Sequence, residues 1–410
     1  MATSRSIDGT REDRRFRWAV AAALVATLVI PGCSLLATPN PPSVRDASLA
    51  PSGSVGYVAC PSAVTPVELG TGTPEAAIPL SLPRPPSLGN FAIAASPDGR
   101  MAYMAVTVGA TAAPPASATA STAPSSTAPS SSATSSTTPG RAGRSEVVPI
   151  DLAGQRAGRP IVLPALGGTH AIVVLPGGRT VLAGDGTAIV PVDTASRRVG
   201  VPIALGAGHT VYGMALAPDG RTLYTLVPGG VFAVNTAGGS AGPEIPTGLA
   251  ISSVYSPHGI AVSADGATVY VVGQGGTDFG GRVLPIVTAS RATLPPAGFD
   301  RYGIADPAAL TVTADASSLL VVDNANNWVN PVPVASISDP PPPVRLPQRS
   351  GSAASGTQHP TDIVLGPGGT KAFIVDGFTS VIPYRPATQT FGRPFTVCSG
   401  ASSMAVAPAP

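Results

Sequence analysis

Four histidines, three cysteines and a single lysine, Lys371, are the scarce residues this sequence offers for imidazole, thiol or Schiff-base chemistry. His170, His209, His258 and His359 each precede, by six to nine residues, one copy of a recurring turn. Imidazoles at matching places in a repeat can ring one opening. There they bind a metal or an anion, or serve as general bases. Polar loop residues also simply cap strand ends, and Pro257-His258-Gly259 reads equally well as a routine turn. The same connections carry Tyr255, Arg301, Tyr302, Asp306 and Asp362. Other chemistry is not written here. There is no HExxH, no Gly-Lys-Ser/Thr phosphate loop and no Gly-x-Ser-x-Gly elbow. The glycine-rich stretch Gly273–Gly281 joins one strand pattern to another, whereas a dinucleotide loop must open a helix. Asp98, Asp219 and Asp265 stand in Pro/Ala-Asp-Gly turns and read as turn-formers, while Asp151 and Asp193 end strands.

The elements that would position these groups are short strands. Charged residues make up only 11% of the 410 residues, and Gly and Pro contribute 47 each. So many breakers argue against long helices, while 43% hydrophobic residues suffice for a core. Residues 1–32 read as an export signal. A basic stretch, Arg14-Arg15-Phe16-Arg17, leads into the apolar run Ala19–Ile30, too short to span a bilayer comfortably. Ile30-Pro31-Gly32-Cys33 resembles a bacterial lipobox, which implies diacylglycerol on Cys33. Residues 33–53 are then a Pro-rich tether. Without residues 1–32 the chain keeps 19 basic and 19 acidic residues, so no general field draws nucleic acid.

One pattern recurs: apolar strand, Pro/Ala-Asp-Gly turn, apolar strand. Copies are FAIAASPDGRMAYMAV at 91, AIVVLPGGRTVLAG at 171, GMALAPDGRTLYTLV at 213, GIAVSADGATVYVVG at 259, ALTVTADASSLLVVD at 309 and DIVLGPGGTKAFIVD at 362. SMAVAPAP at 403 begins a seventh. The Pro position falls at 97, 176, 218, 264, 314, 367 and 408. After each pair comes a run such as AIVPVDT or GVFAVNT, then another strand, which makes four strands per unit. This resembles the YVTN-type β-propeller repeat over roughly residues 54–410, with departures at Asp315-Ala316 and Gly368-Gly369. The expectation is an all-β, seven-bladed propeller of four-stranded antiparallel blades. The resemblance also implies that related propellers include lactone hydrolases and lyases with sites at the channel mouth. The tryptophan docking signature of quinone-cofactor propellers is missing, with only Trp18 and Trp328 present, and no cofactor is expected.

The strands at Val55–Cys60, Val64–Leu69 and Ala77–Leu82 lack an innermost partner, and the seventh copy supplies only an innermost strand. Combining them closes the ring and removes an exposed edge. Cys60 then ends the second strand of that blade, and Cys398 lies just before its first, so a Cys60–Cys398 disulfide is expected. Two separate buried thiols are the alternative. Let strands A to D run from channel to rim. The D-to-A and B-to-C connections emerge on a first face, the A-to-B and C-to-D turns on a second. The tether leaves from the second face. Residues 110–144, rich in Ser, Thr, Ala and Pro, form a disordered insert between strands B and C, hanging from the first face. Asp339–Gln358, with Pro340–Pro343, is expected to widen a D-to-A connection on that face.

The reading is a monomeric, lipid-anchored propeller on the extracytoplasmic side of the cell membrane. It acts as a non-catalytic binding or scaffolding module for an envelope protein, glycan or small ligand. The alternative is a lactonase-like hydrolase or lyase using the four histidines; a metal-storing or sensing surface is a third.

Overall fold

The computed structural model describes residues 53–82, 91–108, 144–164, 167–251, 259–275, 280–299, 306–347 and 359–407. Cys33, residues 1–52, most of the insert, and Tyr255, His258, Arg301 and Tyr302 lie outside them.

Seven antiparallel sheets follow one another in chain order, each of four strand positions. Blade 1 is made from both ends of the chain: inner strand Ser403–Ala407, then Val55–Ala59, Ala63–Glu68 and an outer strand in two pieces, Thr73–Pro74 and Ile78–Pro79. Blade 4 shows the regular unit: Gly213–Leu216, Thr222–Val227, Gly230–Asn235 and Ser240–Pro246. Among the described residues the one helical element is a 3-10 turn, Val334–Ser336.

The repeat motif has a local physical basis. Ser96, Ser263 and Thr313 each donate a hydroxyl hydrogen bond to the aspartate two residues on, at 2.5, 2.5 and 2.6 Å. Each hydroxyl oxygen in turn accepts the backbone N–H that opens strand B, at 3.0, 2.9 and 3.0 Å. The next position needs a left-handed backbone, and Gly99, Gly178, Gly220, Gly266 and Gly369 supply it at φ 66–71°. Ala316 fills it in blade 6 at φ 55°. The Thr of the V-[DN]-T run latches strand C onto this turn. Thr194, Thr236 and Thr288 donate their hydroxyls to the carbonyls of Gly178, Gly220 and Gly266 at 3.0, 3.1 and 2.9 Å.

Strand alternation then sends apolar side chains to both sides of every sheet. The outcome is seven apolar clusters, one in each seam between neighbouring blades. The seam of blades 7 and 1 packs Phe373, Val375 and Phe395 against Val58, Val67 and Met404. The inner strand Ser403–Ala407 pairs in register with Val55–Ala59, Ala405 opposite Tyr57 and Met404 opposite Val58. Cys60 and Cys398 form a disulfide across this closure, with Cα atoms 6.2 Å apart. Asp362, fully buried at the start of the inner strand of blade 7, accepts the Met404 N–H at 2.9 Å and so ties blade 7 to the closing strand.

One expectation about the connections is corrected. Val344–Arg345 pairs with Trp328 and Val329 as the outer strand of blade 6. The prolines 340–343 therefore precede strand D and belong to the C-to-D connection of the second face. A two-residue strand after a Pro run carries too little pattern to be seen in sequence.

Candidate functional site

The first face is held by buried carboxylates at the ends of B strands. Asp185, Asp323 and Asp376 each stand nine residues after the Pro position of their blade, and all are fully buried. Asp376 Oδ1 accepts three backbone N–H groups, from Phe378, Thr379 and Ser380, at 2.8–2.9 Å, and Oδ2 accepts the Ser380 hydroxyl. Asp323 Oδ1 accepts the Ala325 and Asn326 N–H groups at 2.9 and 3.2 Å. Asp185 instead crosses a seam, accepting the Ser145 hydroxyl of blade 2 at 2.8 Å and the Gly168 N–H at 3.1 Å. Beside it, Thr107 of blade 2 accepts the Thr169 N–H at 2.8 Å. Sequence reading passed over these aspartates. Their signal was the constant offset from the Pro position, in Ala-Gly-Asp, Val-Val-Asp and Ile-Val-Asp.

The three described histidines occupy different levels between channel and rim. His170 is in the inner strand Thr169–Val174 rather than in the loop before it. Thr169 pairs with Asp185 and Ala171 with Gly184, so His170 is the extra residue of a β-bulge. Its ring lies 5.9 Å from that of Tyr212. His359 sits above the B-to-C turns: Nδ1 is 3.1 Å from Asn324 Oδ1, and the ring packs on Phe378 at 5.5 Å. His209 is out over strands C and D of blade 4, edge-on to Phe232 at 5.1 Å. Its Nδ1 is 3.0 Å from the Leu205 carbonyl and its Nε2 is 3.4 Å from Glu244 Oε2. Both ring nitrogens therefore face oxygen acceptors. The three thus have separate partner sets. Among the described residues no group of three or more His, Cys, Asp or Glu is placed to hold a metal ion.

The insert springs from a closed hairpin end. Val108 and Arg144 are Cα partners at the tip of strands B and C of blade 2. Two residues on, Glu146 is buried, its Oε1 2.7 Å from Arg144 Nε and its Oε2 without a hydrogen bond. Burial raises its pKa, and the Arg144 guanidinium offsets this only in part.

The second face has tight turns and, among the described residues, openings between blades. Between blades 6 and 7 a cavity of about 400 Å³ is walled by Pro331, Pro333, Pro341 and Pro386. Between blades 4 and 5 an open groove of about 640 Å³ is lined by Asp219, Arg221, Asn235 and Arg291. Its turn aspartates are exposed and acidified: hydrogen bonds from Ser96, Ser263 and Thr313 hold the carboxyls of Asp98, Asp265 and Asp315 below their ordinary pKa.

No family model matches this chain, and no curated protein does. Solved structures do. The chain is similar to hydrazine synthase of Kuenenia stuttgartiensis, with 16% identity and a TM-score of 0.56, covering 79% of this chain and 91% of that one. It is also similar to a chain of a nidogen/laminin complex, with 15% identity and a TM-score of 0.47, covering 64% of this chain and 95% of that one. At 16% identity the first likeness supports the propeller fold and nothing about activity.

Proposed function

We propose that this chain is a lipid-anchored propeller of the YVTN-type repeat class, held to the cell membrane through Cys33 and facing the extracytoplasmic side. There it acts as a non-catalytic binding or scaffolding module for an envelope protein, glycan or small ligand. The observation that carries this reading is the commitment of first-face polar groups to loop support. Asp376 spends one oxygen on three backbone N–H groups, and the three described histidines each pack on a different aromatic ring. Such a face presents a fixed surface, as binding loops on a rigid scaffold do. The lipobox-like Ile30-Pro31-Gly32-Cys33 supports the anchor, and the Cys60–Cys398 disulfide fits an oxidising compartment.

Two measurements test it. Cys33→Ala should move the protein from the membrane fraction to the soluble one; unchanged retention removes the anchor. The full chain should show a thermal shift with isolated envelope glycans and no turnover across a panel of lactones. Lactone hydrolysis lost on His209→Ala, His359→Ala or His170→Ala would replace the scaffold with the hydrolase reading.

A further inference from the structure

The groove between blades 4 and 5 is lined by two arginines from different blades. Arg221 follows the A-to-B turn of blade 4, and Arg291 lies in the C-to-D turn of blade 5. Arg291 has φ 56°, a left-handed conformation unfavourable for a residue with a Cβ. The same turn position holds Gly72 in blade 1 and Gly239 in blade 4, at φ 73° and 60°. In blades 2 and 3 a long side chain at this position bonds the preceding blade. Gln155 donates to Glu75 of blade 1 at 2.8 Å, and Arg197 donates to the Arg159 carbonyl of blade 2. Arg291 has no such bond. Its guanidinium lies over Gly242, where a Cβ would stand 3.4 Å from both terminal nitrogens. Among the described residues neither Arg221 nor Arg291 makes an ion pair or a side-chain hydrogen bond.

The groove carries two guanidinium charges against one carboxylate in its lining. The one carboxylate lining it, Asp219, is occupied by the backbone: Oδ1 accepts the Arg221 and Thr222 N–H groups at 2.8 and 3.2 Å. Asn235 Oδ1 is likewise taken by the N–H groups of Ala237 and Gly238 at 3.0 and 2.9 Å, which leaves its Nδ2 as a donor. Two guanidinium side chains and an amide thus line one opening of about 640 Å³. Arginine forks match the oxygens of a tetrahedral oxyanion and are the strongest neutral-pH donors to it. We infer that this groove binds a phosphate-bearing ligand. Because the folded chain has balanced charge, the attraction is local to this seam. The phosphate is that of a soluble ester or of a lipid headgroup, since the tether's expected exit is on the same face.

The test uses the full chain with Cys33→Ala, so that no lipid anchor contributes. Inorganic phosphate is titrated calorimetrically, and vesicles of phosphatidylcholine with and without phosphatidylglycerol are co-sedimented. Phosphate binding that is at least about tenfold weaker in Arg221→Gln/Arg291→Gln supports a soluble phosphate ligand. Loss of phosphatidylglycerol-dependent sedimentation in that variant supports a headgroup. Arg291→Gly should weaken binding with an unchanged or raised melting temperature, because glycine relieves the left-handed backbone; this separates ligand loss from unfolding. The inference is overturned if wild type and the double variant match in both arms. It is also overturned if Arg179→Gln/Arg198→Gln, which removes the same charge from blade 3, causes an equal loss.

Discussion

The two faces of this ring solve the same problem by opposite means. On the second face the chain reverses mostly through turns of four to six residues, and its turn aspartates stay exposed. Hydrogen bonds from neighbouring hydroxyls and N–H groups stabilise their charge and lower their pKa. On the first face the D-to-A connections are long while most B-to-C turns are short, and the carboxylates at its strand ends are buried: Asp185, Asp323, Asp362 and Asp376 are all without exposure. Glu146, at the foot of the insert, has its pKa raised by the same burial. Short turns encode themselves locally. First-face connections take their order from buried carboxylates, which makes the first face the costlier one to break and the second the more tolerant.

The largest test of this contrast is the disulfide on the first face. It closes 338 residues, so Cys398→Ala should cost about 6 kcal/mol in a chain-entropy account, read by denaturant unfolding. A loss under about 1 kcal/mol would mean that strand pairing alone holds the ring. Next is Asp376→Ala, which strands three N–H groups under the loop carrying Phe378. A destabilisation of about 3 kcal/mol is expected, against a clearly smaller shift in denaturant midpoint for Asp265→Ala on the second face. Equal effects would erase the distinction.

The pH dependence of the two faces should run in opposite directions. Asp98, Asp265 and Asp315 have folded pKa values below the ordinary 3.8. Their contribution is therefore present above 3.8 and lost as pH falls through the depressed values. The triple Asn variant should be less stable than wild type at pH 7, with the difference shrinking as pH falls below 3.8. Glu146 has a folded pKa above its ordinary 4.5, so it costs stability as pH rises past 4.5. Glu146→Gln should raise the melting temperature at pH 7, and the gain should vanish below pH 4. The smallest effect is Ala316→Gly. It places glycine at φ 55° in a second-face turn and should add about 1 kcal/mol, seen as a higher denaturant midpoint.

The repeat was legible because its chemistry is local. Ser96-Pro97-Asp98-Gly99 and Val192-Asp193-Thr194 each close hydrogen bonds within one blade, so spacing and residue type alone reveal them. The closure was legible too, because an unpartnered inner strand and three unpartnered outer ones complete each other. The prolines at 340–343 were assigned to the wrong connection, because the strand after them, Val344–Arg345, is two residues long.

The candidate site was much less readable. A histidine's distance from a turn says nothing of its radius in the ring. A bulge brings His170 into the innermost strand, while Glu244 and Phe232 hold His209 out over the outer strands. The Arg221–Arg291 groove joins residues seventy positions apart on different blades. By itself the sequence determined the number of blades, the order of strands and the pairing of both chain ends, since turn chemistry and alternation act over a few residues. Only the tertiary structure decided which polar groups meet, because those meetings occur across seams, where packing of one sheet on the next sets the distance.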